Sequence, residues 1–580
     1  MKRKSLLALL LVLALCLPTF AACDSGSNGG ETTVAEETTT AEGTTKVEET
    51  TKGEETTKGE ETTKVDETTE IPETTEVPET TETIETTEKP TTETTEKPTT
   101  ETTEEPTTET TEEPTTETTE EPTTETTEEP TTETTEEPTT ETTEEPTTET
   151  TESNEEETSE WLGYSVGLEF SLNADGVSYS VIGIGECTDE DLIIPGEYNG
   201  LPVTVIGVEA FNDCDTLKSV TIPDSIIEIK PGAFSWCNYL EFVNISQDSL
   251  LEAIGSSAFI NCDITSMYIP AKVINIGLDE YGMFSSPFAY CNLLTSITVD
   301  ERNTKYYSVG NCIIDPETKT LVCGINNSVI PGDGSVTQIG VNAFYACNVM
   351  ESIIIPDAIT VIADSAFSAC SSLVSVVIPD SVTDIGRSAF FLCRSLESIV
   401  IPQSVTYIGG TLFGACDALT SITVEEGNTV YHSNGNCIIE TATKTLISGC
   451  NNSTIPTDGS AEIIGSSTFH YCDVFENIVI PSVITEIGSY AYNSCDNLTS
   501  VIIEQGVAII DRKAFANCQS LVSITIPDSV TSIGEYAFEG CSSLTNIYYT
   551  GTEEEWTKLG ISDNPYLANA TIIYNYVPEE

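Results

Sequence analysis

The sequence predicts a β-rich (mixed α/β) solenoid behind a disordered stalk, and three observations carry that expectation. Twelve cysteines from Cys214 to Cys541 fall at one phase of a repeat whose commonest step is 23 residues. Between them the pairs Ile-Pro, Ile-Gly and Ala-Phe recur in fixed order. Residues 24–160, in contrast, are almost entirely Thr, Glu and Pro. A period in the twenties marks units that bury their apolar faces only against their neighbours.

The chain opens with Lys2, Arg3 and Lys4 before the apolar run Leu6–Leu17. That run is too short to cross a bilayer and reads as the core of an export signal over residues 1–22. Phe20-Ala21-Ala22-Cys23 resembles a bacterial lipobox, which would make Cys23 the lipidated mature N-terminus and the one membrane anchor. Phe20 departs from the usual Leu, Val or Ile. The other reading is ordinary cleavage after Ala21, with Thr19 and Ala21 as the small residues.

Residues 23–160 form the stalk. From Pro90 to Pro146 a proline recurs every eight residues, and residues 24–160 hold 46 acidic side chains against 6 lysines. With no apolar core the entropy of ordering is not offset, so the segment is expected to be disordered. Spaced prolines and mutual carboxylate repulsion extend it, towards roughly 400 Å if fully stretched. The stalk reads as a spacer from a membrane.

Residues 161–190 are expected to cap the first coil with strands between Leu168 and Cys187, and the solenoid proper spans 191–550. In the unit Ser372–Cys393, Val376 and Ile378 alternate with Val377 at strand period. Pro379 lacks a ladder donor and ends the strand. Val382 and Ile385 form the returning apolar pair, and Gly386 marks a turn expected to need positive φ. Ala389, Phe390 and Cys393 fill the interior. Stacked units would line up Phe234, Phe390 and Phe538 in one continuous file.

Two cysteine steps are 56 residues instead of 23, from Cys291 to Cys347 and from Cys416 to Cys472. The inserted segments match each other 125 residues apart: Asn311-Cys312-Ile313-Ile314 with Asn436-Cys437-Ile438-Ile439. Each reads as a hairpin island, near 300–325 and 425–450, with a turn such as Asp315-Pro316-Glu317-Thr318. Residues 551–580 form the C-terminal cap, with a short helix Glu553–Leu559, Trp556 as its lid and a last strand Thr571–Tyr576.

The order Ile-Pro, Ile-Gly, Ala-Phe and Cys resembles the BspA-like class of leucine-rich repeats of bacterial and some protist surface proteins, over roughly residues 165–575. The resemblance implies a leucine-rich repeat, right-handed coil with a parallel sheet on one face, and a role in adhesion or binding of host and matrix proteins.

The chain's net charge is −75, which would repel nucleic acid and acidic lipid surfaces. Stacked cysteines about 4.8 Å apart are too distant for disulfides, whose Cβ atoms sit about 3.5–4.5 Å apart, so the column reads as core thiols. The hairpin cysteines differ: Cys312 with Cys323, and Cys437 with Cys450, could meet across their hairpins as disulfides. His432 and His470 align with Tyr307 and Tyr345 and fill aromatic positions. No catalytic grouping, metal spacing or cofactor motif stands out.

One row points outward. Ile354, Val377 and Val400, followed by Thr423, would form an apolar stripe on the sheet face, with Val479 and Ile502 beyond the second island. β-branched residues also suit strands for their own sake. The expected function is recognition of an extracellular protein or glycan through this face, without catalysis. The rival is an envelope or spacer protein with no specific ligand.

Overall fold

The computed structural model describes residues 163–279, 281–560, 565–567 and 569–578. The export signal, Cys23 and the stalk lie outside the described residues. What is described is a solenoid whose coils each contribute one strand to each of two faces.

The coil around Val376 shows why. In Ser375–Val377 the middle residue is buried and its neighbours are exposed, as alternation requires. After Pro379 the chain returns through buried Val382 to the two-residue strand Asp384–Ile385, with Ile385 inward. Both strands pair in parallel with the previous coil in register, Ser352 with Ser375 and Ile362 with Ile385. The corner that follows has amides satisfied by the next coil: the Ser388 amide donates to Gly410 O at 3.0 Å and the Leu392 amide to Gly414 O at 2.9 Å.

Gly386 serves a different purpose from the one its sequence context suggests. Its φ is not positive; Ser388 (54°) and Leu392 (60°) take the left-handed positions of this corner. The glycine is there for contact. A Cβ on Gly386 would lie 2.4 Å from the Asp364 amide nitrogen and 2.5 Å from the Ala363 carbonyl carbon of the coil before. Gly534 meets Arg512 and Asp511 in the same way.

Phenylalanines stack as expected within stretches of coils, but not in one file. Phe211, Phe234, Phe259 and Phe288 form the first stack, with centroids 5.0–6.1 Å apart. Phe344, Phe367, Phe390 and Phe413 form the second. Phe469, Tyr492, Phe515 and Phe538 form the third. Phe234, Phe390 and Phe538 therefore belong to three separate stacks.

The islands are what divides them. Each is a three-stranded antiparallel meander rather than one hairpin: Tyr307–Val309, Cys312–Asp315 and Thr320–Cys323 in the first, and Tyr431–Asn434, Cys437–Glu440 and Thr445–Ser448 in the second. The extra turn is Gly310-Asn311, and Gly435-Asn436 in the second island, with both residues at positive φ, as a two-residue primed hairpin requires. Gly-Asn between strands is the signal that marks it in the sequence.

Alternation turns the middle strand of each meander into a wall. Ile313 and Cys323 join the interior that runs back to Leu168, whereas Cys312 and Ile314 join the next one. The second island repeats the division, with Ile438 and Cys450 behind it and Cys437 and Ile439 ahead. Gly324 and Gly449 then seat the first ring of each new stack: a Cβ there would come within 2.1 Å of Phe344 and 2.2 Å of Phe469.

Both ends are covered. Glu169–Leu172 pairs antiparallel with Tyr179–Gly183, which pairs in parallel with Leu201–Ile206. At the other end the helix Glu553–Lys558 starts from a capping box between Thr552 and Glu555, and its Trp556 is buried against Tyr549 at 5.1 Å. The final strand is Thr571–Ile573, shorter than expected because Asn575 turns the chain at φ 54°.

Candidate recognition face

The strands before each Ile-Pro form a face whose outward residues alternate with the core. Ile354 pairs with Val377 and Val400 with Thr423. Between the two pairs the Glu397 amide donates to Val374 O at 3.1 Å, which holds the adjacent coils together. Ile354, Val377 and Val400 are 83%, 73% and 48% exposed, so the structure brings all three into one outward row. Side chains this apolar and this open do not add to the core.

Elsewhere along the face the row changes character. Before the first island it reads Ile193, Thr221 and Asn244, then Tyr268 and Thr298. There Tyr268 donates to Asp300, which also holds Arg302 through Nε and Nη2 at 3.0 and 2.7 Å. Arg302, and after it Tyr268, hold the Asp300 carboxyl well below the usual carboxylate range. Beyond the second island the row is Val479, Ile502, Thr525, Tyr548 and Ile573. Tyr548 and Ile573 extend this stretch, and sequence reasoning missed them because they lie past the last complete repeat.

The islands also end the row at defined places. Ser308 Oγ accepts from the Val299 amide at 2.9 Å, and Ser433 Oγ accepts from the Val424 amide at 3.1 Å. Side chains thus occupy donors that another strand would have used, and the Ile354 row stops at Thr423.

Charge around the row is of one sign. The four coil segments 351–357, 374–380, 397–403 and 420–426 contain Glu351, Asp357, Asp380, Glu397, Glu425 and Glu426, all exposed, and no Lys or Arg. Glu425 is partly engaged, accepting from the Gln403 amide at 3.1 Å. The others lie about three residues, or ~10 Å, to either side of the apolar row.

The cysteines give no second site. Cys312, Cys323, Cys437 and Cys450 are free thiols, as are the other described cysteines. The cross-hairpin disulfides that the sequence allows fail on register: Cys323 pairs with Ile313, one residue past Cys312, so the two thiols leave the sheet on opposite sides. Cys450 lies beyond Ser448, the partner of Ile438, and Cys437 points the other way. Burial pushes Cys323 and Cys437 up to about 12, which leaves little thiolate for reaction. His470 is pulled down to about 4 by desolvation, and His432 meets Thr441 Oγ1 at 2.9 Å. No group of three His, Cys, Asp or Glu among the described residues is arranged to hold a metal ion.

The repeat itself decides the family. The BspA type leucine rich repeat region, in six copies, matches residues 204–315, 337–461 and 462–562. The chain belongs to the BspA type leucine-rich repeat family. Among solved structures, a leucine rich cell surface protein from Faecalibacterium prausnitzii is 26% identical, over 68% of this chain and 96% of its own, with a TM-score of 0.33. A leucine-rich repeat protein from Bacteroides ovatus is 22% identical, over 70% and 98%, with a TM-score of 0.30. One from Eubacterium ventriosum is 20% identical, over 66% and 94%, with a TM-score of 0.35. Comparison with curated proteins gives no match.

Proposed function

We propose that this BspA type protein is an exported, surface-displayed recognition molecule that contacts an extracellular protein or glycan without catalysis. In this reading Cys23 carries a lipid anchor, the Thr/Glu/Pro stalk sets the distance from the membrane, and the sheet face makes the contact. The observation that carries it is the open row Ile354, Val377 and Val400, with Ile354 and Val377 on paired in-register strands and Val400 on the next coil.

The test is a binding screen of the full chain against matrix proteins, mucins and glycans, repeated with I354S/V377S/V400S. Saturable binding that the triple substitution removes supports the reading. Binding that the substitution leaves unchanged discards the row, and an empty screen favours the spacer. Mass spectrometry of the membrane fraction separates a diacylated Cys23 from a chain cleaved after Ala21.

A further inference from the structure

The apolar row and its rim, taken together, specify more than a surface that binds something. We infer that the partner at Ile354, Val377 and Val400 is a polypeptide segment with an aliphatic centre flanked on both sides by Lys or Arg. The inference rests on the proposed recognition role of this face.

The geometry sets the pattern. Three neighbouring strands about 4.8 Å apart make an apolar row ~10 Å long. Glu351 and Glu397 lie on one side of it, Asp357 and Asp380 on the other, with no cation in the same segments to neutralise them. None of these four side chains takes part in an ion pair within the described residues. The four are exposed and stay hydrated until a partner arrives. Two acidic lines ~10 Å either side of an aliphatic one match an extended peptide with basic ends and an apolar middle. An anionic partner meets repulsion on both sides. A neutral glycan lacks its usual platform, since the row holds no aromatic ring between Ile354 and Thr423. The first part of the face differs on both counts: its outward row is largely polar, and its cations Lys218 and Arg302 are paired with Glu190 and Asp300.

The inference is tested with the full chain and three synthetic peptides, Lys-Lys-Ser-Val-Ile-Val-Ser-Lys-Lys and versions with Glu for every Lys or Ser for the Val-Ile-Val centre. Each is presented as a tetramer so that weak contacts register. Saturable binding of the first peptide is expected, weakened at least tenfold by I354S/V377S/V400S. Neutralising the rim with E351Q/D357N/D380N/E397Q is expected to weaken it severalfold and to flatten its salt dependence. Neutralising Glu104, Glu105, Glu112 and Glu113 in the stalk is expected to leave it unchanged, which separates the rim from bulk acidity. Ile354→Ser alone, at the most exposed position, keeps the test decisive if the triple variant folds poorly. The inference is overturned if the row and rim variants bind the first peptide as the wild type does, or if the Glu peptide binds equally. If a glycan or acidic protein instead binds in a row-dependent way, the inference falls and the recognition role stands. If ligands bind but none depends on the row, the inference falls and the row is discarded; if nothing binds at all, both fall.

Discussion

The thiol of Cys393 donates to the main-chain carbonyl of Phe367, 3.2 Å away in the preceding coil. The same bond recurs from Cys237 to Phe211, Cys262 to Phe234, Cys370 to Phe344, Cys416 to Phe390 and Cys541 to Phe515, at 3.0–3.1 Å. Apart from Cys214, Cys347 and Cys472, which open the three stacks, the cysteine column is thus a column of small apolar donors, each tying one coil to the coil before. Cys393→Ala removes the donor and leaves a void, and is expected to cost about 1–3 kcal/mol. Urea unfolding measures it, and a cost near zero would mean that the thiol acts only as filler.

These buried thiols also make the fold sensitive to alkali. Burial holds Cys370, Cys291 and Cys323 up to about 12, against about 8.5 for an unfolded thiol. A raised folded pKa contributes stability below the unfolded value and loses it as pH rises towards the folded one. Under reducing conditions the urea midpoint is expected to fall progressively from about pH 8.5 upward. A midpoint constant from pH 7.5 to 10 would contradict this.

Glycine and serine at one corner should respond in opposite ways. Gly386→Ala drives a methyl into the Asp364 amide and is expected to destabilise by at least about 2 kcal/mol. Ser388→Gly relieves a left-handed serine at φ 54° and is expected to be neutral or to stabilise by up to about 1 kcal/mol. Thermal denaturation of the two variants decides between a contact role and a turn role for the glycine.

Tyr492 takes a phenylalanine's place in the third stack, and its buried hydroxyl meets no partner among the described residues. Tyr492→Phe is expected to raise stability by about 1 kcal/mol, because it removes an unpaired polar atom and keeps the ring. Phe390→Ala, in contrast, is expected to cost about 3–5 kcal/mol.

The two islands supply an internal control for acid. Desolvation works to raise the Asp315 carboxyl, but Lys305 Nζ at 2.8 Å and the Glu317 amide together hold it lowered. A lowered pKa gives stability above the unfolded value, about 3.9, that is lost as pH falls below it. In the second island Glu440 and Val430 occupy the matching positions, so no ion pair forms there. Asp315→Asn is therefore expected to reduce the acid dependence of unfolding below about pH 4. Glu440→Gln is expected to change it less, and equal effects would remove the role given to Lys305.

Much of this molecule is legible in its sequence because the repeat samples each structural position many times. Val376, Ile378, Val382, Ile385 and Phe390 announce inward positions by recurrence, and Val377 announces an outward one by strand period. Recurrence does not say which atoms meet. It left open that Cys393 faces a carbonyl and that Gly386 lies on the Asp364 backbone, since both contacts join residues a full coil apart. The islands were visible as a broken period, yet the register of their second strand pair, with Ile313 opposite Cys323 and Ile314 opposite Leu321, sets which side of the sheet each thiol leaves. The irregularity at Val322 leaves Cys312 and Cys323 on opposite faces. In the outward row, Ile354, Val377 and Val400 followed from alternation alone, whereas the acidic rim needed neighbouring coils side by side.

The walls at Ile313 and Ile438 carry a mechanical consequence. Oily matter on one side of a wall shares no atoms with that on the other, so loss of one compartment need not spread to the next. Pulled from its two ends, such a chain should yield in discrete steps, one compartment at a time, and the stretch bearing Ile354 would give way as a unit of its own.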